Sequence, residues 1–300
     1  MLRNVPVRSV PKREMFNYIL YRIGEFIALH LPVKFGYWAA VMIADIRYIF
    51  AHKDRKASIE NLKAIFPETD KKKLKKIRQQ MFRNFAKYLV DFFRFEKLNR
   101  QYLKKYVQIE NIHHLEHAHA KGKGVILLTA HLGNWELGGA AFALLGYPFW
   151  AVALPHKSKK VNDFFNYHRE SKGVHVIPLG KAVRQCLQVF KDNGVVVLVG
   201  DRDFTNKGEV IEFFGRKAML PPGPAVFSIK TGAVIVPTFM LRNPDDTFSL
   251  KFLNPVFPTT SELNNPEKGV ISLMNRYKLV LEDYIRRYPD QWYMFRRFWL

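Results

Sequence analysis

VILLTAHLGNWELGG, residues 125–139, joins an apolar run to a break and then to the start of a different periodicity. Val125–Thr129 is continuous rather than alternating and has strand length, the pattern of a strand buried on both faces. Gly133 loosens the chain after it. Asn134 is a good helix N-cap, because its side-chain oxygen can accept an otherwise orphaned backbone N–H. The stretch therefore reads as strand, loop, helix. One histidine, His131, sits just past the carboxyl end of the strand, where open α/β sheets take their ligands.

The same texture continues outward. FWAVAL (149–154), VHVIP (174–178), VVVLVG (195–200), AVIVPTF (233–239) and FSLKFL (248–253) are further apolar runs of strand length. NDFFNYHRES (162–171) and KAVRQCLQVFKDN (181–193) separate some of them with helical patterns. Apolar strands alternating with helices predict a single α/β domain over residues 53–300, with a mostly parallel central sheet flanked by helices. KDRKASIENLKAIF (53–66) reads as a helix stopped before Pro67. A long amphipathic helix follows, capped by Thr69 or Asp70, and GVISLMNRYKLVLEDYIRRYPDQW (269–292) reads as another.

Residues 1–52 differ. A basic, proline-bearing tail precedes two greasy aromatic segments, residues 15–32 and 33–50. Arg22, Glu25 and His30 interrupt the first, and Asp45 and Arg47 the second, so neither offers the roughly 20 predominantly apolar residues that a spanning helix needs. No small-residue cleavage site suggests a removable signal. Arg22 and Glu25 share one narrow helix face. The expectation is a membrane-associated pair of amphipathic helices lying in the interface, with buried core helices as the competing reading.

The bulk numbers restrict function. A formal net charge of +22, from 48 Lys and Arg against 26 Asp and Glu, points to an anionic partner: membrane, nucleic acid, or an acidic protein or substrate. The single cysteine, Cys186, excludes an intramolecular disulfide and a cysteine-rich metal site. G-x-S-x-G, the Walker loop and H-E-x-x-H are all missing, and KGKG (121–124) precedes its strand instead of following it. No metal and no cofactor is expected.

His131 can act as a base if a carboxylate fixes its tautomer. Glu136 lies five residues on. In one regular helix the two would point about 140° apart. With His131 in the loop and Glu136 in the first helical turn they can meet, and the helix dipole favours a carboxylate there. Chemistry alone leaves a satisfied structural histidine at a strand end open. Asp201 and Asp203 end a second strand, again at a carboxyl edge. Downstream, FFGRKAMLPPGPA (213–225) reads as a Gly/Pro-rich loop whose free N–H groups and cations, Arg216 and Lys217, suit a phosphate or oxyanion. An ordinary surface loop is the alternative.

Together these stretches resemble one family. TAHLGNWELGG looks like the H-x4-[DE] block of the glycerolipid acyltransferases. The GDRDFTNKGEVIEFFGRKAMLPPGPA stretch (200–225) looks like the block that follows it in the bacterial lipid A (lauroyl/myristoyl) acyltransferases. RKASIENLKAIFP and YPDQWYMFRRFW resemble that family's N- and C-terminal signatures. The resemblance implies acyl transfer from an acyl carrier protein thioester or acyl-CoA to a hydroxyl of a lipid A precursor or related glycolipid. It implies His131 as general base, Glu136 as its partner, and Arg169 as a contact to acceptor phosphate or oxyanion. Asp201, Asp203, Arg216 and Gly223 would complete the substrate site. It also implies the cytoplasmic face of a bacterial inner membrane, held peripherally or by the N-terminus, and the charge suits anionic lipid and an acidic carrier protein. Nucleic-acid binding would leave these motifs unexplained. Two departures stand out. The N-terminal segments are broken by charge, and Phe295 stands where the family usually has His before its Arg pair, so no role is assigned to Arg296 and Arg297.

Overall fold

The computed structural model describes residues 12–205 and 207–300; the basic tail expected before residue 12 lies outside them. The first helices are α1 (Lys12–His30), α2 (Val33–Phe50), α3 (His52–Ile65) and α4 (Lys71–Phe93). Asp70 caps α4 by accepting from the backbone N–H of Lys72 and Lys73. Next come α5 (Arg100–Tyr106), β1 (Val107–Glu110), α6 (His113–His119), β2 (Val125–Thr129), α7 (Trp135–Leu144), β3 (Phe149–Ala153), α8 (Lys159–Glu170), β4 (Val174–Pro178), α9 (Ala182–Lys191) and β5 (Val195–Val199). The chain ends with β6 (Glu209–Phe213), β7 (Arg216–Leu220), α10 (Gly223–Thr231), β8 (Val234–Arg242), β9 (Phe248–Phe252), α11 (Thr260–Asn264) and α12 (Pro266–Arg287).

Seven strands form the main sheet in the order β1-β9-β8-β2-β5-β3-β4. From β8 to β4 the strands are parallel. β9 returns antiparallel to β8, and β1 pairs parallel with β9. Pro237, which cannot donate to a ladder, sits where β8's pairing with β2 ends at Leu128 and its pairing with β9 begins at Thr238. The period-2 geometry of β2 sends Ile126 and Leu128 into one apolar layer, with α9, α10 and α12, and Val125 and Leu127 into the other, with α4, α7 and α8. Cys186 lies fully buried in the first layer, where burial pushes its thiol up to about 12.

One strand goes beyond the expected runs, and one expectation needs correction. β1 is a short edge strand with one buried position, too brief to stand out as an apolar run. Of the supposed Gly/Pro-rich loop at 213–225, residues 213–220 belong to an antiparallel hairpin of β6 and β7. Ile211, Phe213, Ala218 and Leu220 alternate inward, and Phe214 and Gly215, at φ 50° and 73°, make the two-residue turn. Its paired backbone groups are not available to an anion.

α1 and α2 pack on α4 and α8 through one side only. Tyr21 stacks on Phe164 and meets Phe93 and Phe165, while Tyr37 is buried near Asp91 and Arg242. Their other sides leave large apolar side chains exposed: Phe16, Ile19, Ile23 and Phe26 on α1, and Trp38, Met42, Ile46 and Ile49 on α2. Among the described residues, no helix is long and apolar enough to cross a membrane.

Candidate active site

The register of two parallel strands builds the site. Thr129 of β2 stands opposite Val199 of β5, and the Gly200 N–H donates to the Thr129 carbonyl at 2.8 Å. Two residues beyond each strand end lie His131 and Asp201, facing one another. His131 Nδ1 meets Asp201 Oδ1 at 2.8 Å, and the His131 backbone N–H donates to Asp201 Oδ2 at 3.0 Å. Trp292 Nε1 donates to the same Oδ2 at 2.9 Å. Asp201 is fully buried. Burial pushes its carboxyl up, but the imidazole and the hydrogen bonds outweigh burial and hold it below the usual carboxylate range. Asp201 is thus an acceptor for Nδ1–H, and in the neutral tautomer that this selects, Nε2 is the accepting nitrogen of a part-exposed ring.

The ring is set between two aromatics, with Trp135 at 5.2 Å and Phe204 at 5.8 Å between centroids. The loop carrying it is fixed from behind. The Tyr293 N–H donates to the His131 carbonyl at 2.9 Å and the Gly133 N–H to the Gln291 carbonyl at 2.9 Å. Gly133 has φ +67°, and a Cβ there would stand 2.0 Å from the Met240 carbonyl oxygen, so only glycine fits. Asn134 caps α7 by accepting from the Leu137 N–H at 3.0 Å, and donates to Asp91 at 2.7 Å. Asp91 is paired with Arg242, both buried.

Glu136 is in the first turn of α7, as its spacing predicts, but it does not hold His131. It forms a two-pronged pair with Arg169 of α8, at 2.8 Å to Nε and 2.5 Å to Nη2. Burial opposes the charge on Arg169, yet the carboxylate wins and raises its pKa. The expected partnership is therefore corrected: Asp201 orients the histidine, and Glu136 and Arg169 neutralise each other in the wall beside it. A carboxylate in the helix turn points along α7 toward α8, whereas the β5 end lies directly across from His131.

The remaining expected residues lie apart. Asp203 caps its own turn, accepting from Thr205, Lys207 and Gly208. Arg216 is an exposed position at the hairpin turn, and Gly223 begins α10 with open space at its Cα. No hydrogen bond or ion pair among the described residues links either to His131. Trp292 is the contributor that sequence reasoning missed. A fully buried indole whose N–H needs an acceptor is the one signal that could have found it.

Beneath α7 lies a narrow cavity of about 30 Å³. Leu127, Gly138, Phe142, Phe149 and Met240 line it, with Thr129 and Trp135 on the His131 side. Gly138 and Gly139 leave the α7 face bare there, since a Cβ at either would press on Met240 or Phe149. Among the described residues, no group of three or more His, Cys, Asp or Glu side chains could hold a metal ion.

Comparison with known proteins adds the family. The family model for bacterial lipid A biosynthesis acyltransferases matches residues 8–300. A phosphatidylinositol mannoside acyltransferase of Mycolicibacterium smegmatis is 28% identical over 221 residues, 72% of this chain and 70% of that protein. A lipid A biosynthesis palmitoleoyltransferase of Escherichia coli is 25% identical over 276 residues, 90% of this chain and 87% of that one. Among solved structures, the 1-acyl-sn-glycerophosphate acyltransferase of Thermotoga maritima aligns with 90% of this chain and 98% of its own, at 17% identity and a TM-score of 0.35.

Proposed function

The chain belongs to the bacterial lipid A biosynthesis acyltransferase family and is an acyltransferase; from that premise we propose that it moves a fatty acyl chain from an acyl carrier protein or acyl-CoA thioester to a hydroxyl of a membrane glycolipid, with His131 as general base. The observation that carries this reading is the His131–Asp201 couple, with Nδ1 tied to a buried carboxylate and Nε2 available. No protein nucleophile is needed. Nε2 takes the proton of the acceptor hydroxyl as its oxygen attacks the thioester carbonyl. The carbon–sulfur bond then breaks, and the sulfur leaves as a thiol with that proton. Asp201 stabilises the imidazolium formed between the two events. Trp135 and Phe204 both pack edge-on against the ring and help hold it in place.

The acceptor class rests on two observations. The relatives are named for lipid A biosynthesis and for phosphatidylinositol mannoside, both glycolipid names. The exposed faces of α1 and α2 repeat at three- and four-residue steps, which suits helices lying in a bilayer surface, with the +22 charge attracting anionic lipid. A peripheral position on the cytoplasmic face of the inner membrane, held by these helices, is the location this reading takes. The test mixes thioester, purified protein and a lipid extract of the host membrane, and follows thiol release. Release that needs both the lipid and His131, and is lost in His131→Ala, supports the reading. Equal release by the two proteins refutes it.

A further inference from the structure

Asp91 has no part in the chemistry above, yet three elements distant in the chain converge on it. It is a buried carboxylate on α4. Asn134 Nδ2 donates to its Oδ2 at 2.7 Å, from the turn that opens α7. Arg242 Nη2 donates to the same oxygen from the end of β8, and the Tyr37 hydroxyl donates to Oδ1 from α2. A carboxylate taken out of water is costly unless its oxygens are satisfied. One that depends on three donors therefore holds all three to a single arrangement.

Two of those donors lead to the site. Asn134 ends the His131 loop, and its backbone N–H donates to the Met240 carbonyl at 2.7 Å. Arg242 clamps Gln291 in both directions: its N–H donates to Gln291 Oε1 at 2.9 Å, and its carbonyl accepts from Gln291 Nε2 at 2.8 Å. Gln291 opens the short segment that serves both members of the couple. Its carbonyl accepts from the Gly133 N–H, the Trp292 indole donates to Asp201, and the Tyr293 N–H donates to the His131 carbonyl. The third donor leads away from the site. Tyr37 also packs its ring against the Arg242 guanidinium, 4.9 Å from the centroid, and the next residue, Trp38, lies on the exposed apolar side of α2. A second polar tie joins α2 to α4, between Asp45 and Arg83 at 2.8 Å. It lies two helical turns, about 12 Å, along α4 from Asp91.

We propose that Asp91 is the positioning residue of the His131 site: through Asn134, and through Arg242 and Gln291, it sets His131 against Asp201, and through Tyr37 it ties that setting to the seat of α2. The acyltransferase reading enters only in the kinetic arm of the test.

The first arm needs no turnover. Backbone hydrogen exchange of the intact protein is read by mass spectrometry on peptides covering residues 130–136 and 289–294. Wild type is compared with Tyr37→Phe, Asn134→Ser and Asp45→Asn. Tyr37→Phe keeps the ring and its cation contact and loses the hydroxyl. Asn134→Ser keeps an oxygen to cap α7 and loses the amide that reaches Asp91. Each should speed exchange at both peptides about tenfold, the loss of one hydrogen bond to a buried charge. Asp45→Asn loosens α2 from α4 without touching Asp91 and should leave both peptides at the wild-type rate. If Tyr37→Phe and Asp45→Asn leave these peptides alike, the proposal is overturned.

The second arm follows thiol release with donor and lipid varied separately. Tyr37→Phe and Asn134→Ser should each lower kcat about tenfold with both KM values nearly unchanged, because a buried carboxylate meets no substrate. The double variant should lose less than the product of the two single losses, since both act on one carboxylate. An unchanged kcat, or losses that multiply, overturns the proposal. If wild type turns over no thioester, the acyltransferase reading fails, and the exchange rates still decide whether Asp91 positions the site.

Discussion

Asp201→Asn is the substitution that separates this site from the one its sequence suggests. The amide keeps the size of the carboxylate and can still accept from Trp292. It loses the charge, and its NH2 now faces an atom of His131 that is itself a donor, either the backbone N–H at 3.0 Å or Nδ1–H at 2.8 Å. The ring relieves that clash by moving its proton from Nδ1 to Nε2. Nε2–H cannot take a proton from a hydroxyl. Losing the charge-assisted contact and the support for the imidazolium is expected to cost about 4–5 kcal/mol in the transition state, or roughly 10³–10⁴ in kcat. KM should change little, because the amide touches no substrate. The assay is thiol release from an acyl thioester under saturating lipid, with circular dichroism and a thermal melt to show that the fold persists. A folded Asp201→Asn protein with more than a tenth of the wild-type kcat would refute the assignment of Asp201 as the orienting group.

Trp292→Phe removes one of the hydrogen bonds that aim Asp201 and should lower kcat about tenfold with a small loss of stability, read from the same assay and melt. Gly133→Ala combines a left-handed backbone with a contact at 2.0 Å to the Met240 carbonyl; it should destabilise the fold by roughly 3 kcal/mol or more in urea unfolding. Glu136→Gln leaves the Arg169 charge buried without its carboxylate and should cost roughly 2–4 kcal/mol, part of which Glu136→Gln combined with Arg169→Met recovers. A double-mutant cycle by urea melts checks that coupling. His168 is fully buried beside Glu25, and burial, aided by the charges of Arg22 and Lys172, lowers it to about 4. Its folded pKa lies below its unfolded value near 6.5, so the unfolded chain takes up a proton that the folded one refuses. Stability is full above pH 6.5 and falls toward pH 4 by at most roughly 3 kcal/mol. Burial raises Glu25, which works in the opposite direction. The urea midpoint of His168→Gln should therefore fall less between pH 7 and pH 4.5 than that of wild type; parallel curves would rule the linkage out.

The division between sequence and tertiary structure follows from the range of the forces involved. Periodicity is local, so the apolar runs at 125–129, 174–178 and 195–199 marked β2, β4 and β5 directly. So are caps: Asn134 and Asp70 open their helices because each needs only a backbone N–H two or three residues away. The hairpin at 209–220 was hidden because its second strand runs straight into the Pro-Pro-Gly-Pro of residues 221–224, and its inward alternation shows only once a core exists to face. His131 was identifiable from its place after a buried strand. Its partner was not. Glu136 is five residues away along the chain, Asp201 is seventy, and sequence distance favours the nearer carboxylate. What selects Asp201 is the pairing of β2 with β5, which sets Thr129 opposite Val199 and carries the two residues beyond each strand end into contact. Strand order is decided by the packing of whole layers, and the C-terminal Trp292 that steadies Asp201 arrives only after α12 has crossed the sheet. The sequence determined where the titratable side chains stand along the chain, and the register of two parallel strands decided which of them meet.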